Sequence, residues 1–244
     1  WAFNQLAQST LVQICQGGIY DHLGGGLARY STDERWIVPY FEKMLYDNAL
    51  FIDTLALAWQ QDRSPLYKKR IEETIGWLSR EMMIEGAFAS SIDADSEGEE
   101  GKYYLWSESE IDAVLSGTFS QNFKLAYNVT REGNYQQQTV LHRLGAFTNF
   151  EANSPDEALF DKQRSLLLEA RSKRVRPLRD GKILADWNGM MIAALANAGA
   201  VFANSEWIVM AIRAFEFLER TVCDGDRLYH SWQQGKRGHE GFAE

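Results

Sequence analysis

The sequence predicts an all-α fold of the α/α toroid kind, in which helical hairpins place one helix inside and its partner outside. Two observations support this prediction. Helices that are apolar on every side alternate along the chain with amphipathic helices, and extended segments are few and short. A plain helical bundle would make most of its helices equally amphipathic.

The composition indicates a globular protein that binds neither nucleic acid nor a membrane surface. Hydrophobic residues make up 45% of the 244 residues and charged residues 24%. The net charge of -9 repels phosphate backbones and anionic lipids, and no apolar run reaches membrane-spanning length. Cys15 and Cys223 form no paired motif, which favours a reducing compartment, so we expect a cytoplasmic protein.

The first helix is predicted from about Ala2 to Gln16, where apolar residues recur at three- to four-residue spacing. Gly17-Gly18 ends it, because glycine adopts the left-handed conformation that follows many helix C-termini. A polar and aromatic loop continues to about Val38. The next helix, about Pro39 to Gln61, is apolar almost all round, which predicts a position in the middle of the packed structure.

Amphipathic helices follow. Ser64-Pro65 supplies an N-cap and a favourable first residue for a helix that reaches about Met83. Ser107 and Glu110 have the spacing of a capping box before a short helix, and another helix is predicted from Thr118 to Tyr127. Ser154-Pro155-Asp156-Glu157 forms a second capping box, which opens a helix to about Lys173.

The last two helices again pair a helix that is apolar on every side with an amphipathic helix. The segment from Trp187 to Phe202 is apolar on every side, whereas the segment from Ser205 to about Val222 is amphipathic. The extended segments Lys102 to Trp106 and Arg227 to Trp232 are predicted to form small hairpins over one end. No repeat of fixed period is evident and no linker divides the chain, so residues 1–244 are predicted to form part of one domain.

Glycines lie close to polar and aromatic side chains in the loop after the first helix. The side chains concerned are Tyr20, Asp21, His22, Arg29 and Trp36. Glycine lets the backbone approach a ligand closely, but a phosphate loop is excluded because no Gly-Lys-Ser/Thr sequence follows. The region is therefore either a ligand-binding loop or a tight turn that needs positive φ angles.

Polar residues interrupt the apolar surface of the second helix. Asp47 and Asn48 fall in rows of apolar residues, and Glu42 and Tyr46 lie beside them. Burying such groups without partners costs about 1–3 kcal/mol each. Either Lys43, one turn before Asp47, is a structural partner, or the groups line a ligand cavity, which is the interpretation we favour.

An acidic run begins at Asp93 and Asp95. Its oxygens alternate as in a calcium loop, but Tyr104 stands where the closing glutamate should be. A solvated acidic turn is the usual explanation of such a run. The alternative is that Asp93 and Asp95, which lie next to apolar residues, face a pocket.

A fourth group precedes the second all-apolar helix. Asp186 is predicted to be its N-cap, while Trp187 and Asn188 offer a stacking face and an amide, as sugar sites do. His230, on the last predicted strand, is expected to face the same mouth. The histidines lack metal-binding spacing, so neither a metal nor a cofactor is predicted.

Taken in order, these motifs resemble those of the YyaL-type, thioredoxin-domain-containing proteins, which include spermatogenesis-associated relatives in animals. The motifs are Gly17 to Gly26, Asp33 to Asn48, Asp93 to Trp106 and Asp186 to Gly189. The resemblance implies a six-hairpin (α/α)6 toroid, similar to N-acylglucosamine 2-epimerases and glycosidases and incomplete over these residues. It also implies a thioredoxin-like domain elsewhere in the longer protein. Tyr40 departs from the pattern, which has histidine there.

The sequence and the resemblance together favour a carbohydrate-processing or sugar-binding domain with its pocket at the inner helix ends. A glycosidase would need two carboxyl groups, and an epimerase an acid and a base. The predicted catalytic residues are Asp21, His22, Glu42, Asp47 and Asp93. The predicted substrate-binding residues are Tyr20, Arg29, Trp36, Tyr46, Asn48, Asp95, Trp187, Asn188 and His230. The alternative is a non-catalytic binding or scaffold module that serves the thioredoxin-like domain.

Overall fold

The computed structural model describes residues 2–145 and 155–241 of the chain. Its helices are α1 (Ala2–Gln16), α2 (Leu45–Asp62), α3 (Pro65–Trp77), α4 (Glu108–Val114), α5 (Thr118–Ala126), α6 (Pro155–Arg171), α7 (Ala185–Val201) and α8 (Ser205–Val222). A π-helical turn, Leu78–Met82, continues α3. Helices thus account for most of the regular structure, as predicted.

The strands are two or three residues long. They are β1 (Tyr30–Ser31), β2 (Pro39–Tyr40), β3 (Lys43–Met44), β4 (Met83–Ile84), β5 (Ala87–Phe88), β6 (Ser91–Ile92), β7 (Asp95–Ser96), β8 (Glu99–Glu100), β9 (Arg179–Asp180), β10 (Ile183–Leu184), β11 (Cys223–Asp224), β12 (Arg227–Leu228), β13 (Ser231–Gln233) and β14 (Lys236–Arg237). All named pairs are antiparallel, and β3-β6-β9 and β10-β13-β14 form three-stranded sheets.

Two helical hairpins form the centre of the fold. In each, the first helix packs on its partner, α2 on α3 and α7 on α8, and the two first helices lie side by side. Tyr46 contacts Trp187 near the start of α2 and α7, and Trp59 contacts Phe202 at their ends, so the two helices run parallel. This is the arrangement of part of an α/α toroid, and the predicted fold class is confirmed.

The inner helices are not buried on every side, which corrects the prediction made from their composition. Leu50 and Leu57 of α2 are 53% and 60% exposed, and Met190 of α7 is 36% exposed. Leu45, Ile52, Leu55, Met191 and Leu195 on the opposite faces are fully buried. The reason is that each inner helix is covered by its hairpin partner, the other inner helix and short strands, and α2 also by the loop after α1. One apolar stripe remains uncovered by the described residues.

The two hairpins belong to two structurally equivalent units, although the sequence shows no repeat of fixed period. The first unit runs β3-α2-α3-β4-β5-β6 and the second β10-α7-α8-β11-β12-β13. Each element of the second unit begins the same number of residues after its counterpart, from Lys43 and Ile183 to Ser91 and Ser231. The sequence hides this repeat because packing requires only the apolar character of most positions, not their identity.

Helix starts confirm some predicted signals and correct others. The capping box of Ser107 and Glu110 is present. Ser64 precedes α3 but its side chain makes no capping hydrogen bond. The N-cap of α7 is Leu184, not Asp186, which lies in the first turn. The predicted cap Ser154 lies outside the described residues.

The segments before α2 and after β8 also differ from the prediction. The helix expected from Pro39 begins at Leu45, because residues 39–44 contain β2 and β3. Residues expected to form a strand from Lys102 form turns instead, of which only Trp106 makes a strand-like bridge, to Thr139. At the first of these turns a Cβ on Gly101 would approach the Phe41 ring to 2.5 Å, so only glycine fits.

Candidate functional site at the start of the inner helices

A polar and aromatic surface forms where the loop after α1 crosses the start of α2. The backbone N–H of Arg29 donates to the Glu42 carbonyl at 2.9 Å, and the Arg29 guanidinium lies 3.1 Å from the Glu42 carboxylate. Both side chains are partly exposed. The register thus places a cation and a carboxylate beside the first turn of α2.

Tyr46 joins this surface to the start of α7. Its ring meets the Trp187 ring edge-on at a centroid distance of 4.7 Å. Both side chains are only partly buried. Two aromatic rings that are partly exposed offer apolar faces against which the C–H groups of a sugar ring can stack.

Asp47 lies next to Tyr46 in the first turn of α2, and its carboxyl is unusual. Oδ2 is buried and accepts no hydrogen bond from any described group. Burial raises the pKa of Asp47 to about 6, although Arg29 and a hydrogen bond with Tyr46 act in the opposite direction. A carboxyl with such a pKa exchanges a proton near neutral pH, which suits general acid–base catalysis. We call Arg29, Glu42, Tyr46, Asp47 and Trp187 the inner-helix site.

Asp93 and two tyrosines extend the same surface. Tyr40 stacks on Tyr30 at 5.2 Å, and the pKa of Tyr40 is raised chiefly by the charge of Glu42, with a smaller contribution from Asp93. Lys43 of β3 lies opposite Ile92 of β6 in an antiparallel pair. Glu42 and Asp93, the next residue on each side, therefore lie at the same end of that pair. Asp93 is exposed and its Oδ1 accepts from the Asp95 N–H at 3.4 Å, so its position in a pocket stays a prediction.

Asp21 lies in a buried ion-pair cluster instead of the inner-helix site. Its carboxylate accepts from Lys43 Nζ and from both terminal nitrogens of Arg171, each at 2.8 Å. It also accepts from the backbone N–H groups of Leu23 and Gly24. Burial opposes ionisation, but Arg171 and Lys43 hold the pKa of Asp21 well below its usual range. A carboxylate so held does not accept protons near neutral pH, which argues against the predicted catalytic role.

His22 and Tyr20 are also buried and fully engaged. The His22 Nε2 atom lies 2.9 Å from the Gly17 carbonyl, and Nδ1 lies 3.2 Å from the Arg70 guanidinium. A carbonyl only accepts and a guanidinium only donates, so the ring is the neutral Nε2–H tautomer. Burial lowers the pKa of His22 well below its usual range. Tyr20 donates to Glu73 at 3.0 Å and is 1% exposed, so neither residue belongs to the surface at the start of the inner helices.

Asn48 and Asn188 are fully buried and bind backbone. Asn48 accepts from the N–H of Leu27 at 2.7 Å and donates to its carbonyl at 3.1 Å. Asn188 makes the same two bonds with Phe88, at 2.9 and 3.0 Å. Each also donates to the carbonyl four residues before it. The hydrogen bonds of Asn48 hold the loop after α1, and those of Asn188 hold β5, so neither amide has a group left for the predicted contact with substrate.

No hydrogen bond, ion pair or ring contact among the described residues joins the side chains of Trp36, Asp95 or His230 to the inner-helix site, so their predicted contact with substrate stays a prediction. Trp36 adopts a φ of 62°, and its carbonyl accepts from the Gly18 N–H at 2.8 Å. A Cβ on Gly17 would approach that carbonyl to 2.4 Å, which explains glycine there. Asp95 is exposed in the β7–β8 hairpin, so the acidic run is a solvated turn. His230 stacks on His239 at 4.6 Å, and its carbonyl accepts from the N–H of Ala185.

Lys43 and Arg171 are the charged residues whose role sequence reasoning missed. Lys43 is 2% exposed and belongs to a strand, not to the helix in which it was expected. Arg171 lies at the end of an amphipathic helix, where a charged residue ordinarily faces solvent. Nothing in the local sequence connects it to Asp21, which is far away along the chain.

The described part of the chain contains neither a cluster of metal ligands nor a membrane-spanning helix. Within residues 2–145 and 155–241, no three His, Cys, Asp or Glu side chains are grouped to hold a metal ion. Over the same ranges, no helix combines the length and the apolar character needed to cross a bilayer.

Comparison with known proteins identifies similar sequences. No protein-family model matches the chain. It is 32% identical to spermatogenesis-associated protein 20 of Homo sapiens over 268 residues, which cover 96% of this chain and 34% of the human protein. The Rattus norvegicus protein of the same name is 31% identical over 252 residues, covering 90% and 32%. The chain spans about a third of the length of these curated relatives.

Solved structures of similar shape are sugar isomerases and epimerases. D-mannose isomerase matches with a TM-score of 0.33 and 12% identity, over 95% of this chain and 55% of that one. Cellobiose 2-epimerase from Spirochaeta thermophila matches with a TM-score of 0.30 and 12% identity, over 96% and 58%. Similarity at these TM-scores supports no conclusion about activity. The resemblance to spermatogenesis-associated proteins is confirmed, whereas the thioredoxin-like domain stays a prediction.

Proposed function

We propose that this chain binds a sugar-like small molecule at the inner-helix site and that Asp47 transfers a proton to or from it. The observation that carries the proposal is the Asp47 carboxyl, which has a buried, unpartnered Oδ2 and a pKa of about 6. A buried polar group without a partner is costly and is retained where a ligand supplies that partner. The reaction class we favour is epimerisation or isomerisation next to a carbonyl, with glycoside hydrolysis as the alternative reaction.

The surroundings of Asp47 support a carbohydrate ligand. Tyr46 and Trp187 supply ring faces for stacking, and the Arg29–Glu42 ion pair offers both donors and acceptors to hydroxyl groups. Asp47 is then the group that accepts or delivers the proton, and the charge of Arg29 favours its ionised form. Glu42 is the candidate second carboxyl if the reaction is hydrolysis.

The experiment follows proton transfer directly. Full-length protein is incubated in D2O with aldoses, ketoses, N-acyl amino sugars and reducing disaccharides, and proton NMR follows exchange at the carbon next to the carbonyl. We expect exchange with at least one sugar and a loss of roughly 100- to 10,000-fold in Asp47→Asn. Asp53→Asn is the matched control, because Asp53 lies two turns later on α2 and bonds only Asn197 among the described groups. Equal exchange in the two variants would remove Asp47 from the mechanism.

A second candidate function is non-catalytic binding in support of the thioredoxin-like domain that the resemblance implies. The observation favouring it is that Asp21 and Glu42, two of the predicted catalytic carboxylates, are in ion pairs. Sugar binding without exchange or hydrolysis, abolished by Trp187→Ala, would support this candidate over catalysis. A reducing, cytoplasmic location is part of either proposal and is supported by the free thiols of Cys15 and Cys223.

A further inference from the structure

The segment between α6 and β10 concentrates positive charge in an acidic protein. From Arg171 to Lys182 it contains six cationic side chains and one acidic side chain, Asp180, although the net charge of the chain is -9. Such a run is often no more than a solvated face. A cation that lacks a counter-charge, however, attracts anions to its own part of the surface, so the pairing of each cation decides what the segment can bind.

Two cations of this segment have no carboxylate partner. The ion pairs of the other cations are Arg171 with Asp21 at 2.8 Å, Lys173 with Glu169 at 3.8 Å, Arg174 with Glu110 at 3.0 Å and Lys182 with Asp180 at 2.8 Å. Arg176 and Arg179 form no ion pair with any carboxylate of the described residues. The positive charge left without a partner therefore belongs to these two arginines.

Arg176 and Arg179 line the same cavity, which has a volume of about 290 Å³. Small-molecule sites usually occupy about 300–1,000 Å³, so the cavity is large enough for a small ligand. Its other lining residues are Glu81, Ile92, Tyr103, Tyr104 and Pro177. The hydroxyl groups of the two tyrosines form no hydrogen bond with any described group. Two guanidiniums and two phenols with unused hydrogen-bonding capacity thus surround one space.

Glu81 supplies the carboxylate of this lining. Because two guanidiniums stand against this single carboxylate, the net charge of the lining is positive. The side chain of Glu81 is 10% exposed, and both of its hydrogen bonds with Arg80 end on Oε1, at 3.1 and 2.7 Å. Oε2 is therefore left to accept a hydrogen bond from a hydroxyl group of a ligand.

Hydrogen bonds order the chain around the two arginines. The Val175 carbonyl accepts from a serine hydroxyl at 2.6 Å, and the Leu178 carbonyl accepts from the backbone N–H that follows β6 at 2.8 Å. The backbone is thus held on both sides of Arg176. Arg179 Nη1 donates to two carbonyls at the end of the π-helical turn, at 3.0 and 3.3 Å, which leaves Nη2 and Nε unused. Binding to groups that are already ordered costs less conformational entropy.

We propose that this cavity binds a small phosphate ester that carries hydroxyl groups, with its phosphate bound by Arg176 and Arg179. Guanidinium groups bind phosphate oxygens through two parallel hydrogen bonds. The tyrosine hydroxyls and Oε2 of Glu81 suit the hydroxyl groups of the ester. The cavity shares no residue with the inner-helix site, and the inference does not depend on the proposed function.

The first test is isothermal titration calorimetry of full-length protein at constant ionic strength, with glucose 6-phosphate and inorganic phosphate as probes. We expect saturable binding of glucose 6-phosphate and competition by inorganic phosphate, because both present the same oxygens to the two arginines. Saturable binding of neither probe overturns the proposal.

The second test locates the binding. Arg176→Met removes one guanidinium, so the Kd of glucose 6-phosphate should rise roughly 10- to 100-fold. Because Arg176 is exposed, its replacement should leave the Tm nearly unchanged. Arg131→Met is the matched control: Arg131 is also exposed and has no ion pair with a described carboxylate, and its loss changes the net charge equally. Equal affinity in the two variants overturns the proposal.

A third test uses a heavy tetrahedral oxyanion in place of phosphate. Crystals of the unmodified protein are soaked in tungstate, and anomalous diffraction locates the tungsten. Tungstate between Arg176 and Arg179 supports the proposal, and tungstate bound only elsewhere overturns it.

Discussion

Asn48 and Asn188 hold equivalent positions in the two units and make equivalent hydrogen bonds. Each is the fourth residue of its inner helix, and each binds both the N–H and the C=O of one residue outside its own hairpin, Leu27 for Asn48 and Phe88 for Asn188. Asn48 holds Leu27, two residues before Arg29. We call each such pair of hydrogen bonds an asparagine clamp. The clamp of Asn48 fixes the loop that brings the Arg29 guanidinium over the start of α2.

Replacing either asparagine should destabilise the fold. Asn48→Ala or Asn188→Ala leaves a buried backbone N–H and carbonyl without partners, so we expect a loss of about 2–4 kcal/mol in the free energy of unfolding. Urea denaturation measures this loss. Asn197→Ala, on the same helix as Asn188 but exposed with one bond to Asp53, should change stability by less than about 0.5 kcal/mol. Equal losses at Asn188 and Asn197 would contradict the clamp.

The raised pKa of Asp47 should make stability depend on pH. With a folded pKa of about 6 against an ordinary value of 3.8 for the carboxyl of Asp47, the folded state holds the proton more tightly than the unfolded chain. This contribution is fully present below about pH 4 and is lost as pH rises through 6. Asp47→Asn removes the dependence, so relative to the unmodified protein it should gain about 1 kcal/mol between pH 4 and pH 7.5, allowing for a half-exposed carboxyl.

Urea denaturation at several pH values tests this prediction. Asp53→Asn serves again as the control, because its carboxyl is exposed at the edge between α2 and α7. A pH dependence that is the same in Asp47→Asn and in the unmodified protein would mean that Asp47 does not titrate in this range.

Arg29 should lower the pKa of Asp47, since its charge acts on the carboxyl. Arg29→Met is therefore expected to raise that pKa above 6, whereas Arg35→Met, an exposed arginine of the same loop, should leave it unchanged. Carbon-13 NMR of the aspartate carboxyl groups measures the titration. An unchanged Asp47 titration in Arg29→Met would show that the guanidinium does not interact with it in solution.

Removing the Asp21 charge should be more damaging than removing any exposed carboxylate. Asp21→Asn leaves Lys43 and Arg171 buried without a counter-charge, and we expect a loss of about 3–5 kcal/mol. Because the folded pKa of Asp21 is lowered, its contribution is present above about pH 4 and is lost as the solution becomes more acidic. Asp226→Asn, in an exposed turn, is the control for denaturation at pH 7 and should be nearly neutral.

Local sequence signals predicted the helices but not the buried charges. Apolar spacing and the Ser107 capping box placed several helix ends within a few residues, because both signals act within one or two turns. Asp47 was predicted to be a site residue because a carboxylate on an apolar helix is costly to bury without a partner. Asp21 and His22 were misassigned, since their partners Arg171 and Arg70 are brought to them only by tertiary packing.

The two structurally equivalent units place unlike residues at the same position of their inner helices. The third residue of the inner helix is Asp47 in the first unit and Trp187 in the second, so equivalent positions on adjacent helices carry a carboxyl group and an indole ring. Because the two units share one arrangement of elements, the same position on each inner helix lies at the same end of the fold, and a difference in one residue is enough to give the two helix starts unlike chemistry.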